Sequence, residues 1–283
     1  VFLFISLVSK GQWSVIHCPF DSCIHNFDYA NMLAFDANQD IFFSGSVYNS
    51  AGYAYVGMYD GLHNIELTGL NNYQPVGQTG FLFVDSLNNI YLGSDAANTA
   101  GHAYCAKWDG TSWSELGGDN SLKANTAVLA ITNDQFGNIY CAGGFTNDSL
   151  KAYVAKYDGV DWSELGGMNA LHANDGIEWL AHDPAGNIYA AGWFTNGPTN
   201  QVGNPYIAKF DGTSWSDITT NSNLDTIVLQ GSWGTWIQDL STDRFGNIYC
   251  QNNYKLNSLF ISFARAIELP LVMNVELSVI SCQ

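Results

Sequence analysis

A run of seven residues, Asp134-Gln135-Phe136-Gly137-Asn138-Ile139-Tyr140, occurs again almost unchanged at 183–189 and 243–249. Weaker copies begin at Asp85 and Asp36. The leading Asp residues stand at positions 36, 85, 134, 183 and 243, so they are separated by 49, 49, 49 and 60 residues. Because unrelated segments do not keep one spacing three times in succession, we infer that the chain repeats a single structural unit.

Each repeat contains four short runs of β-type residues, which we term strands a, b, c and d. In the third repeat the predicted strands are 128–132, 138–142, 153–157 and 162–165. The a–b and c–d connections contain Gly-Asn and Asp-Gly, which favour tight hairpin turns. Four antiparallel strands in a unit of about 40–50 residues are typical of a propeller blade. We therefore predict an all-β fold, a β-propeller of five four-stranded blades, with six blades as the alternative.

The predicted repeats lie near 30–69, 79–118, 128–167, 177–218 and 236–277, within one domain at 13–283. The apolar residues 1–8 resemble the end of a secretory signal peptide, but no Met or basic residue precedes them. The alternative for residues 1–12 is a first β-strand, because Trp13 has the spacing of a d-strand Trp. This strand pair could close the ring against a last c strand predicted at 259–265, in competition with residues 271–283.

The third repeat resembles the kelch repeat, through Ile139-Tyr140-Cys141-Ala142-Gly143-Gly144-Phe145 followed by Tyr153 and Trp162. The resemblance covers most of residues 30–265, although only this repeat has the complete Gly-Gly pair. The Asp-Gly-Thr-Ser-Trp-Ser segments are also similar to repeats of secreted bacterial propellers. The resemblance implies a propeller of kelch or galactose-oxidase type, in families that usually have more than five blades.

The composition narrows the range of partners. Nine basic residues against 26 acidic ones give a formal charge of −17, which would repel nucleic acid. The leading Asp residues of the repeats are expected to cap turns with their carboxylates. A ring of Ca²⁺ sites at these residues is the alternative, and otherwise no cofactor or metal is expected. No segment has the length of a membrane span.

Two other repeated features are expected to build the blades. Trp113, Trp162 and Trp215 are predicted to pack between neighbouring blades. A basic residue repeats in strand c, and we expect it to pair with the repeated acid of strand d. The basic residues are Lys107, Lys156, Lys209 and Arg265, and the acids are Glu115, Glu164 and Asp217.

Alternation of strand direction places the a–b and c–d turns on one face, the bottom, and the b–c and d–a loops on the other, the top. The top loops vary between repeats and combine aromatic rings with amides and hydroxyls, which suits recognition of a sugar or peptide. For Phe145 and Trp193, packing between blades is an equal alternative. The predicted ligand-binding residues are Tyr48, Asn49, Asp95, Asn98, Phe145, Thr146, Asn147, Trp193, Phe194 and Asn196.

The sequence shows no catalytic constellation, metal-ligand spacing or nucleophile motif, so we expect a protein that is not an enzyme. The leading hypothesis is a secreted or cell-surface scaffold whose top face binds a protein or a glycan. A propeller lectin with one sugar site per blade is an alternative. A carbohydrate-active enzyme is another, because paired carboxylates can come from distant strands. Its candidate acids occur in one repeat only: Asp95, Asp119, Asp148, Asp175, Glu178 and Asp239.

Overall fold

The computed structural model describes residues 3–5, 14–16, 29–49, 52, 54–67, 80–94, 97–197, 203–219 and 237–252. Every regular element in this part of the chain is a β-strand. Within these ranges there is no helix long and apolar enough to cross a membrane.

The strands follow the repeats. A hairpin of β1 (Leu3–Ile5) and β2 (Ser14–Ile16) comes first. Blade 1 contains β3 (Tyr29–Phe35), β4 (Ile41–Ser46), β5 (Val56–Tyr59) and β6 (Asn64–Leu67). Blade 2 contains β7 (Leu82–Val84), β8 (Ile90–Gly93), β9 (Cys105–Trp108) and β10 (Trp113–Glu115). Blade 3 contains β11 (Val128–Asn133), β12 (Ile139–Gly143), β13 (Ala155–Tyr157) and β14 (Trp162–Glu164). Blade 4 contains β15 (Ile177–His182), β16 (Ile188–Gly192), β17 (Ala208–Phe210) and β18 (Trp215–Asp217). Blade 5 is described for β19 (Ile237–Thr242) and β20 (Ile248–Asn252).

The sheet topology confirms the predicted fold class. Each of blades 1 to 4 is a four-stranded antiparallel sheet in which strands a, b, c and d pair in chain order, and β19 pairs with β20 in the same way. In blade 3, Ile131 is opposite Cys141 and Tyr157 is opposite Trp162. Successive four-stranded antiparallel sheets of this kind form a β-propeller.

The N-terminal hairpin has the strand pairing that the spacing of Trp13 predicted. Leu3 lies opposite Ile16, and Ile5 lies opposite Ser14, in antiparallel register. The proposed partner strand at 259–265 lies outside the described residues, as does the competing segment 271–283. Ring closure and the division at residue 13 therefore stay predictions.

The hydrophobic core lies between adjacent blades. The a strands are the innermost, because β11 packs against β15, and β15 packs against β19. Ile131, Leu180 and Leu240 occupy the same register position on these strands and are fully buried. Burial of such side chains between sheets contributes about 1.5–3 kcal/mol each. The blades are thus held together mainly by apolar contacts along the axis.

The d-strand Trp residues also join neighbouring blades, as predicted. The indole Nε1–H of Trp162 donates to the Leu116 carbonyl of blade 2 at 2.9 Å. Trp215 makes the same bond to Leu165 of blade 3 at 3.0 Å. A buried indole needs a partner for its N–H, and here the preceding blade supplies it. The repeated Trp therefore fixes both the packing and the orientation of one blade against the next.

The bottom face is built from a repeated hydrogen-bonded turn. In blade 3, Oδ1 of Asp134 accepts from the backbone N–H groups of Phe136 and Asn138 at 2.9 and 3.0 Å. Its Oδ2 accepts from the Asn138 side chain and the Tyr140 hydroxyl at 2.6 and 2.8 Å. Burial would raise the pKa of Asp134, but these hydrogen bonds outweigh it and lower the pKa. The carboxylate therefore caps the turn.

The calcium alternative for these turns remains untested. Four donors already use the lone pairs of the Asp134 carboxylate that a cation would need. In the described ranges, no group of three or more His, Cys, Asp and Glu side chains is arranged to hold a metal ion.

The predicted ion pairs between strands c and d are wrong in blades 2 to 4. Lys156 lies opposite Ser163, one residue before Glu164, and side chains of successive residues point to opposite faces of a strand. The aligned Lys107 lies opposite Ser114, and its Nζ is 5.6 Å from the ring centroid of Tyr91. The lysine therefore covers an aromatic ring of strand b, a cation–π contact, while the acid faces the other side.

Candidate functional site

The b–c loops of blades 2 to 4, on the top face, are each fastened by one aligned asparagine. In blade 3, the side-chain Oδ1 of Asn147 accepts from the backbone N–H groups of Ser149 and Lys151 at 3.0 and 3.2 Å. The Nδ2 of Asn147 donates to Glu164 at 3.0 Å. The amide thus shapes its own loop and ties that loop to strand d.

A d-strand glutamate joins this loop to the d–a turn. In blade 3, the other carboxylate oxygen of Glu164 accepts from the Asn169 backbone N–H at 2.7 Å. The turn can reach the carboxylate because Gly166 and Gly167 have φ of 84° and 93°, a conformation that glycine adopts without strain. In blade 2, Glu115 makes the same two contacts, with Asn98 at 2.8 Å and Asn120 at 2.6 Å. We term this arrangement the Asn–Glu bridge.

Among the described residues, blade 4 lacks the hydrogen bond from the loop asparagine to the d-strand acid. Asp217 stands where blades 2 and 3 have glutamate, and its hydrogen bonds to described residues come from Thr219, at 2.8 and 2.6 Å, to Oδ1. The sequence after it, 218–222, has no Gly-Gly pair. The aligned Asn196 accepts from the Asn204 backbone N–H at 3.0 Å. The fourth blade therefore departs from the repeat in the carboxylate that holds the top loops together.

A pocket of about 330 Å³ lies at this departure. One wall is the d–a turn of blade 3, and the others are the b–c loop and strands c and d of blade 4. Its volume is at the lower end of the range of about 300–1,000 Å³ found for small-molecule sites. The lining residues are Ala170, Leu171, His172, Thr195, Asn196, Gly197, Tyr206, Ala208, Trp215, Ser216 and Asp217.

The pocket combines aromatic rings with polar groups. Trp215 is half-buried, and its ring centroid is 5.4 Å from that of Phe210. Burial, and then the nearby Asp217 charge, raise the pKa of the Tyr206 hydroxyl to about 12, so it stays protonated at neutral pH. His172 is exposed and has φ of 56°. The site thus offers an indole, a hydroxyl, a carboxylate and an imidazole within one cavity.

Two of the predicted aromatic residues are core residues. Phe145 and Phe194 are fully buried. Each ring packs edge-on against the tyrosine two residues before strand c, Phe145 on Tyr153 at 4.9 Å and Phe194 on Tyr206 at 4.8 Å between ring centroids. Their rings therefore do not face solvent, and for Phe145 the packing alternative holds. Phe194 reaches the pocket only indirectly, by supporting Tyr206.

Trp193, which precedes Phe194 in the chain and was also predicted to bind ligand, is exposed, with 37% of its surface accessible. Its indole N–H donates to Glu178, at the start of β15. Burial raises the pKa of Glu178; the Trp193 hydrogen bond partly opposes this shift, and the Asp175 charge adds to it. Glu178 and Asp175 are two of the acids found in one repeat only, and the structure brings them near each other.

The other predicted site residues lie in the loops of different blades. Asn49 donates to Glu66 at 2.9 Å, and Tyr48 forms a β-bridge with Ala54. The Thr146 hydroxyl accepts from Asn125 at 3.1 Å. Asp95 lies outside the described residues. Of the ten predicted ligand-binding residues, only Asn196 lines the pocket.

Sequence reasoning missed Tyr206, Trp215, Asp217 and His172 as pocket residues. Trp215 and Tyr206 match residues of the other repeats and were therefore assigned to blade building. The available signal was the departure at Asp217, which replaces a glutamate present at Glu115 and Glu164, together with the missing Gly-Gly pair. The broken repeat marks the place where the top of blade 4 differs in structure from those of blades 2 and 3.

Comparison with known proteins supports the fold but does not assign the chain to a family. No family model matches the chain, and no curated protein matches it, so the kelch resemblance of the repeat stays a prediction. A solved extracellular domain, assigned to a one component system of B. thetaiotaomicron, aligns at a TM-score of 0.50 with 15% identity. The alignment covers 81% of this chain but only 27% of that domain, so the chain spans about a quarter of it. This likeness supports a shared fold.

Two further structures align less well. An ulvan lyase, a polysaccharide lyase, has a TM-score of 0.49 and 14% identity over 79% of this chain and 63% of its own. A gluconolactonase from Xanthomonas campestris has a TM-score of 0.48 and 13% identity over 84% of this chain and 72% of its own. At these values neither contributes to the assignment of a function.

Proposed function

We propose that this chain is a secreted or cell-surface binding propeller that holds a glycan in the pocket between blades 3 and 4. The observation that carries the proposal is the pocket itself, because it forms where the Asn–Glu bridge of the repeat is missing. Extracellular placement is consistent with the extracellular domain that shares the fold. It also agrees with the repeated segments typical of secreted propellers.

The chemistry of the pocket favours a sugar over a flat or charged ligand. An indole such as that of Trp215 can pack on the apolar patch of a sugar ring. Asp217, Asn196 and His172 then offer acceptors and donors for hydroxyl groups at its edge. With a formal charge of −17, the protein would disfavour polyanions, so a neutral glycan is the expected class.

The same geometry supports one principal site rather than one per blade. In blades 2 and 3, the Asn98 and Asn147 amides are engaged by Glu115 and Glu164. A ligand at those blades would first have to break these internal bonds. We therefore favour a binding protein with a single site over a multivalent lectin.

A glycan array with the fluorescently labelled chain tests the proposal, followed by titration calorimetry on the best ligand. His172→Asn keeps a residue that tolerates positive φ but removes the imidazole, and we expect an affinity loss of about five- to tenfold. Lys123→Asn is the matched control. Lys123 has the same place in the d–a turn of blade 2, with φ of 53°, and lies away from the pocket.

The results separate the alternatives. A silent array would contradict a glycan ligand and favour a protein partner. Binding that His172→Asn and Lys123→Asn leave equally strong would show that the pocket is not the site. Dense binding that survives loss of the blade 4 pocket would favour the multivalent lectin.

A carbohydrate-active enzyme is the second candidate, and Glu178 is the observation that favours it. A carboxyl group with a raised pKa beside a second carboxyl group can act as a general acid. If the purified chain cleaves a polysaccharide and Glu178→Gln abolishes turnover without loss of stability, the enzyme replaces the binding protein. Activity unchanged in Glu178→Gln would remove Glu178 as the general acid, and no cleavage of any polysaccharide by the wild type would remove this candidate.

A further inference from the structure

We propose that Asp217 is the residue that determines the ligand class, and that the bound ligand places one hydroxyl group between the Asn196 amide and the Asp217 carboxylate. This inference rests on the proposed binding site in blade 4. It adds the atoms that the ligand must supply and the reason that blades 2 and 3 do not bind it.

The argument begins with blade 3, where the amide and the carboxylate meet directly. Nδ2 of Asn147 is 3.0 Å from the Glu164 carboxylate, so no group fits between them. Asn196 and Asp217 occupy the aligned positions of blade 4, and both line the pocket. The difference in side chain is one methylene group.

Removing one methylene withdraws the carboxylate by about 1.5 Å, the length of one carbon–carbon bond. With the loop and strand d placed as in blade 3, we infer that the Asn196 amide nitrogen and the Asp217 carboxylate oxygen lie about 4.5 Å apart. Two hydrogen bonds of about 2.8 Å that meet at one tetrahedral oxygen span that distance. A single oxygen atom therefore fits where the direct bond is lost.

That oxygen has to accept a hydrogen bond from an amide and donate one to a carboxylate. A hydroxyl group does both, as does a water molecule that the ligand would displace, whereas a carbonyl, ether or sulfate oxygen can only accept, and an ammonium group can only donate. An acidic sugar substituent would in addition meet the charge of Asp217. The ligand class is therefore a neutral polyhydroxylated molecule, bound through a hydroxyl beside the face that contacts Trp215.

The surroundings favour this bond. Tyr206 and Trp215 line the pocket together with Asp217, which is half-buried, and a hydrogen bond to a carboxylate is stronger in such surroundings than in open solvent. The Thr219 bonds to Oδ1 hold the carboxylate in one orientation. Ordering of the acceptor before binding reduces the entropy lost on association.

Asp217→Glu is the decisive variant, because it restores the residue of blades 2 and 3. We expect the longer carboxylate to reach Asn196 as Glu164 reaches Asn147, and so to exclude the ligand hydroxyl. Affinity for the best neutral methyl glycoside should fall at least tenfold. The reverse change in blade 2, Glu115→Asp, is the matched control and should leave that affinity unchanged, because the lining of the pocket contains no residue of blade 2. A deoxy analogue lacking the bridging hydroxyl should lose the same factor on the wild type and almost nothing on Asp217→Glu.

A measurement without ligand keeps this inference separate from the proposed function. In NMR spectra of the intact chain, the Asn196 side-chain amide protons should exchange more slowly in Asp217→Glu than in the wild type. Unaltered exchange, or Asp217→Glu binding the glycoside as tightly as the wild type, would overturn the inference. If exchange slows while no sugar binds the wild type, the opening between Asn196 and Asp217 stands, but the proposed glycan function fails and the assigned ligand class fails with it.

Discussion

Blades 3 and 4 share almost every feature that builds a blade and differ in the one that shapes the top. Both have the Asp-capped turn, the buried phenylalanine on a tyrosine and the tryptophan bonded to the preceding blade. Of these two blades, only blade 3 has the Asn–Glu bridge, and the pocket lies at blade 4. The comparison indicates that conserved packing can support a local change in hydrogen bonding without altering the sheet.

The largest effect is expected from the buried rings. Phe145→Ala and Phe194→Ala should each lower the free energy of unfolding by about 3–5 kcal/mol, because both side chains are fully buried. Urea unfolding followed by tryptophan fluorescence would measure both. Equal losses would confirm that the two blades share one packing. A loss below about 1 kcal/mol in Phe194→Ala alone would show that the two blades are packed differently.

The capped turns should make stability depend on pH. Hydrogen bonds oppose burial and keep the pKa of Asp134 and Asp183 below the ordinary value, so each carboxylate stabilises the fold above that value. This contribution is lost as the pH falls from about 4 through the lower pKa of the folded state. Asp134→Asn cannot accept all four hydrogen bonds, and should cost about 2 kcal/mol at pH 7.

The measurement for this prediction is the free energy of unfolding between pH 7 and pH 3. The loss caused by Asp134→Asn should shrink toward low pH, where the wild-type carboxyl is also protonated. Asp183→Asn is the matched change in blade 4 and should behave alike. A loss that stays constant with pH would contradict the assigned role of the carboxylate charge.

The smallest effect on stability is expected from the tryptophan bonds. Trp162→Phe and Trp215→Phe each remove one indole N–H bond to the preceding blade and part of a ring, at a cost of about 1 kcal/mol. Thermal unfolding should show similar shifts. Only Trp215→Phe should also weaken ligand binding, because only Trp215 lines the pocket. Equal binding by both variants would show that the Trp215 indole does not contact the ligand.

Much of the fold could be predicted from local sequence. The predicted strands of blade 3 and the observed β11 to β14 agree within two residues at each end. Asp134, Asn138 and Tyr140 interact within seven residues, so their spacing alone specifies the turn. The ion pairs at Lys156 were wrong because pairing depends on which face of the strand each side chain occupies, and the expected register did not account for this.

The binding site was harder to predict for a physical reason. Phe194 and Trp193 are neighbours in sequence, but one is buried and the other exposed, since successive residues face opposite sides of the loop. His172 and Asp217 are 45 positions apart and meet only because blade 3 packs against blade 4. No local pattern reports that contact.

The sequence by itself determined the repeat, the propeller class and the residues that cap turns and join blades, because the turn contacts span a few residues and the contacts between blades recur with the period of the repeat. Tertiary structure decided which aromatic rings are buried and where the pocket opens. Those properties depend on how two sheets face each other, and on whether one carboxylate reaches its amide partner across about 3 Å.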